Sequence, residues 1–218
     1  MAPGSTNEGS GHPMITIIDY GLGNVLAFVN LCRRIGIKIK IAHAAADLDG
    51  AERIILPGVG AFDHAMDLLD ASGMRPRIEE LVTVRKVPVL GVCVGMQILA
   101  NGSDEGVREG LGWIPGRVRA LRDVLPHNAK LPLPHMGWND VRPKNGPSLL
   151  KGFENDARFY FLHSFYFECA NAEHVAGTAD YGISFACIVR SGNIYGVQFH
   201  PEKSHRFGAG LLKTFSEV

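Results

Sequence analysis

The sequence predicts an α/β fold: a parallel sheet core flanked by helices in the first half, with mixed and antiparallel strands added in the second. Three observations carry this reading. Apolar, β-branched runs alternate with amphipathic helical segments about three times before residue 100. From about Gly116 the rhythm changes to short strands that follow one another. With 218 residues, 46% hydrophobic and 20% charged, the chain is long and apolar enough to bury a sizeable core.

Residues 14–19 (MITIID) form an apolar, β-branched run that ends on the turn sequence YGLGN, so they read as a buried strand. Asn24 then caps a helix with an apolar face of Val25, Phe28, Val29, Leu31 and Cys32, and Gly36 ends it. Residues 37–41 and 53–56 (RIIL) give the second and third strands, the latter stopped by Pro57-Gly58-Val59-Gly60. Helices are expected over 61–69 and 77–85. A fourth apolar strand follows at 87–92 (VPVLGV), and a helix from 95 to 100. The second half should hold strands at 117–121, 137–141, 158–163, 183–190 and 193–199, with Ser191-Gly192-Asn193 as a hairpin turn and a final helix over 205–215.

Composition narrows the function classes. Lys+Arg and Asp+Glu are both 22, so the net charge is zero and a polyanion-binding role is disfavoured. No apolar run reaches the ~18–20 residues that span a membrane. The four cysteines, at 32, 93, 169 and 187, are separated by 61, 76 and 18 residues, which fits neither a disulfide scaffold nor a zinc ribbon and suits a reducing, cytoplasmic compartment. Residues 1–13 (MAPGSTNEGSGHP) lack the basic and apolar regions of a secretory signal, and they read as a disordered lead-in to one domain over 14–218.

The chemistry concentrates in a few segments. Residues 91–95 (GVCVG) are G-x-C-x-G between an apolar strand and a helix, the cysteine counterpart of the nucleophile elbow. A tight strand-to-helix turn exposes its central residue, and glycines on either side let the helix pack close. The helix N-terminus should favour the thiolate, and the Val94 N–H should face a developing oxyanion. The bland reading of the same pentapeptide is a buried structural cysteine.

A thiolate nucleophile wants a histidine. His200 ends an apolar strand in YGVQFHPEKS, and Glu202 two residues on would share its face if the segment is extended, which suits an acid that orients the imidazole. Taken alone, this pair reads better as a solvated turn, and together with the Cys93 elbow the preference reverses. H-x-E also opens a zinc deaminase signature, but only 16 residues follow Glu202 and none is cysteine, so no metal site is expected. Gly58 and Gly60 lend the third-strand loop backbone freedom to present N–H groups. Gly21-Leu22-Gly23 lacks the third glycine of a dinucleotide fingerprint, since position 26 is Leu26, and no phosphate-binding P-loop motif exists. No cofactor is implied.

Taken together these segments resemble the class I, or triad, glutamine amidotransferases. The elbow G-x-C-x-G-x-Q is residues 91–97, and G-x-Q-F-H-P-E is residues 196–202. More narrowly, IDYGLGN (18–24), LPGVGAF (56–62), PHMGWN (134–139), FYFLHSF (159–165) and HPEKS (200–204) resemble the glutaminase subunits of imidazole glycerol phosphate synthase. The resemblance implies a flavodoxin-like sheet and a triad of Cys93, His200 and Glu202. It also implies an oxyanion hole from Val59 and Val94, and glutamine contacts from Gly58, Gly60, Gln97, His163, Ser164 and Phe165. It implies no metal or cofactor, and ammonia delivery to a separate barrel-shaped cyclase subunit in a heterodimer, with neither nucleic acid nor membrane as a partner. Trp138 would sit at the joint or channel. His135 and His163 read as hydrogen-bonded histidines that shape the fold. Two positions depart from the usual pattern: Val94 replaces the commoner Leu, and Phe165 the frequent Tyr. Competing readings are an amidotransferase subunit of anthranilate or pyridoxal phosphate synthesis, a flavodoxin-like cysteine peptidase, and a binding module with an inert Cys93.

Overall fold

The computed structural model describes residues 14–126, 131–144 and 149–218, so the expected lead-in at 1–13 lies outside the described residues. The first half runs β1 (Ile15–Ile18), α1 (Val25–Arg34), β2 (Ile39–Ala42), β3 (Arg53–Gly58), α2 (Phe62–Ala71), α3 (Arg75–Glu79), β4 (Val89–Cys93) and α4 (Val94–Gln97). The second half adds β5 (Gly102–Ser103), β6 (Gly116–Ala120), β7 (His135–Asp140), β8 (Arg142–Pro143), β9 (Arg158–His163), β10 (Phe165–Cys169), β11 (Val175–Asp180), β12 (Ser184–Ser191), β13 (Ile194–Val197) and α5 (His205–Ser216).

The main sheet is ordered β2-β1-β3-β4-β13-β12-β10-β6-β5. Strands β2, β1, β3, β4 and β13 pair in parallel, whereas β12, β10 and β6 join antiparallel. Every residue of β1, β4 and β13 is buried, as strands covered on both faces must be. β7 and β9 form a separate antiparallel ribbon in which His135 faces His163 and Trp138 faces Tyr160. The expected hairpin is present: Ser191 pairs with Ile194 across Gly192 and Asn193, with Gly192 at φ 58°.

Local chemistry explains the ends of the elements. The Asn24 side chain accepts the Ala27 N–H at 3.1 Å, capping α1, and Arg33 and Arg34 occupy its last turn. The expected helix over 95–100 is only α4, a single turn. The carbonyls of Ile98, Leu99 and Ala100 instead accept from Leu111, Ile114 and Gly112, which draws the chain out of the helix. The expected helix over 77–85 is α3 followed by a wider turn, in which Arg85 N–H reaches back five residues to Glu80 O.

Four strands were not expected: β5, β8, β10 and β11. β10 lies one residue beyond β9 and continues the same aromatic run, so nothing local separates the two. β11 (VAGTAD) is built from small residues without alternation. Its strand character comes from pairing with β12, over which a Cβ on Gly177 would lie 3.0 Å from the Ile188 side chain.

Candidate active site

Three strand ends converge at the carboxyl edge of the sheet. At the end of β4, Cys93 adopts φ 55° and ψ −113°, a region a side chain enters only under constraint. The constraint is backbone-to-backbone packing. A Cβ on Gly95 would lie 2.0 Å from Leu56 O, and one on Gly91 2.4 Å from Gly95 O. Only glycine fits either place, so α4 presses against β3 and β4 and turns Cys93 outward. The helix that starts beside Cys93, expected to favour the thiolate, is a single turn of four residues, so only a short dipole stands behind the sulfur.

The chief partner is His200, where β13 has run out. Its Nδ1 lies 2.8 Å from Glu202 Oε1, and the two side chains are 4% and 2% exposed. The route to this contact differs from the expected one. Residues Pro201–Lys203 form a 3-10 turn, not an extended segment, and the turn itself folds Glu202 back onto the imidazole. His200 is anchored to the β7–β9 ribbon, since its N–H donates to Tyr160 O at 2.9 Å. Ser204 Oγ donates to His200 O at 2.6 Å and accepts from Tyr160 N at 3.0 Å. Burial alone would depress the imidazolium. Hydrogen bonds to Cys93 and Glu202, with the charges of both, outweigh it and raise the His200 pKa to about 9. The arrangement is a cysteine–histidine–carboxylate line.

Cys93 and His200 open into a cleft of about 280 Å³, small enough for an amino acid. Val59, Gly60, Val94, Gln97, His163, Ser164 and Phe165 line it, and so do Glu105, Pro134, Leu162 and Lys203, which sequence reasoning did not single out. Gly58, expected at the substrate, lies behind the elbow, where a Cβ would be 2.4 Å from Gly95 N. Glu202 stands behind His200. Trp138 lies outside the cleft, on the ribbon, 39% exposed and stacked on His205 at 5.5 Å.

A chain of polar groups runs from the ribbon to the cleft, where His163 and Gln97 line it. Asn139 Nδ2 donates to Asp180 O at 2.9 Å and meets His135 Nε2 at 3.3 Å. His135 Nδ1 and His163 Nε2 are 2.9 Å apart, and His163 Nδ1 lies 2.8 Å from Phe165 O. A carbonyl only accepts, so His163 Nδ1 carries a proton, its Nε2 accepts, and His135 Nδ1 donates. Burial holds both rings neutral, with pKa values of about 4 for His135 and about 3 for His163. Phe165 O also accepts from Gln97 Nε2 at 3.2 Å, and Gln97 Nε2 donates to Gln198 Oε1 at 3.1 Å. Gln198 Nε2 lies 3.8 Å from the Cys93 sulfur. On the opposite side the Tyr20 hydroxyl, whose pKa burial raises, donates to Pro57 O at 2.7 Å and pins the loop that carries Val59. Gln198 and Tyr20 both lie inside segments the sequence had singled out, but their partners are far away in the chain.

The remaining cysteines are unlike Cys93. Burial pushes the Cys32 thiol up to about 11, Cys169 up to about 12 and Cys187 well above the normal range, and none lines the cleft.

Comparison with known proteins agrees with this geometry. Residues 16–216 match the family model of class-I glutamine amidotransferases. Imidazole glycerol phosphate synthase subunit HisH of Bdellovibrio bacteriovorus is 60% identical over 205 residues, 94% of this chain and all of that one. The HisH subunit of Leptospira interrogans is 47% identical, again over 94% of this chain and all of the relative. Among solved structures, a glutamine amidotransferase superposes with a TM-score of 0.69 at 20% identity, covering 93% of this chain and 99% of that one. PurLQS of Thermotoga maritima superposes with a TM-score of 0.70 at 17% identity, covering 94% and 98%. The chain therefore belongs to the class-I glutamine amidotransferase family, in the branch whose curated members are imidazole glycerol phosphate synthase HisH subunits.

Proposed function

We propose that this chain hydrolyses the side-chain amide of L-glutamine and passes the ammonia to a barrel-shaped cyclase subunit, its partner in a cytoplasmic heterodimer. That partner makes imidazole glycerol phosphate and aminoimidazole carboxamide ribotide in histidine biosynthesis. The observation that carries the reading is Cys93 on a strained elbow, sharing an amino-acid-sized cleft with His200, whose imidazole is paired to the buried Glu202.

His200 takes the Cys93 thiol proton as the sulfur attacks the carboxamide carbon, and the Val59 and Val94 N–H groups receive the oxyanion. The His200 imidazolium gives its proton to the leaving nitrogen, the C–N bond breaks, and ammonia departs, leaving a glutamyl thioester. Neutral His200 then takes a proton from water, whose oxygen attacks the thioester. Glutamate leaves as the sulfur is released, and His200 returns its proton to Cys93. Glu202 holds the imidazole throughout. Gly60, Gln97, His163, Ser164 and Phe165 shape the substrate cleft, and Gly58 acts through the elbow and loop backbone.

A cysteine peptidase would use the same nucleophile, but the high identity to HisH subunits over the whole chain favours the amidotransferase over it and over the subunits of other pathways. The test is glutamate formation by the chain with a cyclase partner. A glutamine-mimicking electrophile should label Cys93, whereas peptide cleavage without glutamine turnover would overturn the reading.

A further inference from the structure

Gln198 plays no part in the steps above, yet it is fully buried and its amide nitrogen lies 3.8 Å from the nucleophilic sulfur. We propose that Gln198 is a catalytic residue whose side-chain N–H donates to Cys93 and favours the thiolate, with Gln97 as the positioning residue that fixes the direction of its amide. This deepens the glutaminase reading and rests on it.

The orientation follows from satisfiability. Phe165 O can only accept, so the Gln97 terminus 3.2 Å away must be its nitrogen. That nitrogen, 3.1 Å from Gln198, must meet the Gln198 oxygen. The Gln198 nitrogen is then left for the sulfur. Phe165 O is held in turn by His163 Nδ1–H at 2.8 Å, so the line starts from a fixed point. A buried N–H needs an acceptor, and an anionic sulfur is a far better one than a thiol. The same sulfur, as a thiol, faces Leu162 O at 3.9 Å, which accepts the S–H and so favours the neutral form. The two contacts oppose each other across the titration.

The other groups near the sulfur are named on the same geometry. His200, backed by Glu202, supplies the opposite charge. Burial, and after it the Cys93 charge, raises the Tyr20 phenol, and burial keeps His163 neutral beside His200. Glu105 and Lys203 line the cleft with opposite signs.

The experiment measures the rate of Cys93 alkylation by iodoacetamide against pH in the full chain. In Gln198→Leu the low-pH midpoint should rise by about one pH unit, a tenfold loss of thiolate. Gln198→Glu should raise it further, because a carboxylate would repel the thiolate. Midpoints unchanged in both folded variants overturn the proposal, since a merely structural role would alter the melting temperature and not the titration. Should neither variant fold, the Gln198 side-chain amide resonances of the unaltered chain decide. They should shift with the alkylation midpoint and lose that shift in Cys93→Ala, and resonances indifferent to that titration overturn the proposal. Alkylation needs no glutamine, so a chain that fails to make glutamate refutes the enzyme reading separately.

Discussion

Cys93 differs from the other three cysteines in place more than in kind. It alone stands on a strained turn facing His200, whereas Cys32, Cys169 and Cys187 are held as thiols by burial. Cys93→Ala should therefore abolish glutamine hydrolysis, by about 10³-fold or more, because the thioester route disappears. Conservative replacement of each of the other three should leave turnover within a few-fold, as steady-state glutamate production would show. His200→Asn should be nearly as damaging as the loss of Cys93, since the two act as a unit. Glu202→Gln should cost less, on the order of 10², because it removes the charge that orients the base and not the base itself. Ammonium at high pH should still support the cyclase reaction when either residue is changed. Failure of that bypass would locate the damage in assembly.

At the scale of elements, the β7–β9 ribbon ties an outer surface to the cleft, which His163 lines. One face carries Trp138 and Tyr160; the other carries His135 and His163, stacked among Phe161 and Tyr181. The two histidines are neutral when folded, with pKa values of about 4 and about 3, well below the unfolded ~6.5. Their stabilising effect is thus present above pH ~6.5 and is lost as pH falls toward the folded values. His200 has the opposite sign: raised to about 9, it stabilises fully below pH ~6.5 and fades as pH rises through about 9. Stability should peak near neutrality. Between pH 6.5 and 4.5, each histidine should tilt the curve by up to about 1.4 kcal/mol per pH unit. His135→Gln should flatten this acid limb in urea titrations, and an unchanged slope would contradict the assignment of a neutral pair.

For the whole molecule, the question is where the ammonia goes. In neutral water most of it becomes ammonium, a poor nucleophile, so the acceptor must be reached without solvent. The sequence has no P-loop motif, no complete dinucleotide fingerprint and no basic excess for a phosphorylated acceptor. Met136 is 65% and Trp138 39% exposed on the outer face of the ribbon, apolar surface of the kind a partner covers. We expect low glutamate production by the chain alone, a strong rise with the cyclase, and a further rise with its ribotide ligand. Trp138→Ala should weaken cyclase binding by about tenfold or more, measured by calorimetry, while leaving the Cys93 alkylation rate unchanged. Equal turnover in all three conditions would mean a free-standing hydrolase.

The parallel half of the sheet was legible from the residues alone, because buried strands read as apolar runs and glycine punctuates them. So were the elbow and the histidine motif, whose backbone demands restrict the residues that can stand there. The antiparallel half was less so. β11 has no apolar signature, and it is a strand because β12 offers it a pairing edge. The carboxylate's contact with His200 is made by a 3-10 turn and not by the alternation of a strand. The polar line from Asn139 to the Cys93 sulfur joins residues up to 105 positions apart, as with Gln198 and Cys93. Nearest-neighbour patterns cannot encode such a line. Its members must wait for the sheet to bring their strands together, and only then does the hunger of buried N–H groups for acceptors settle which way each amide and each ring faces.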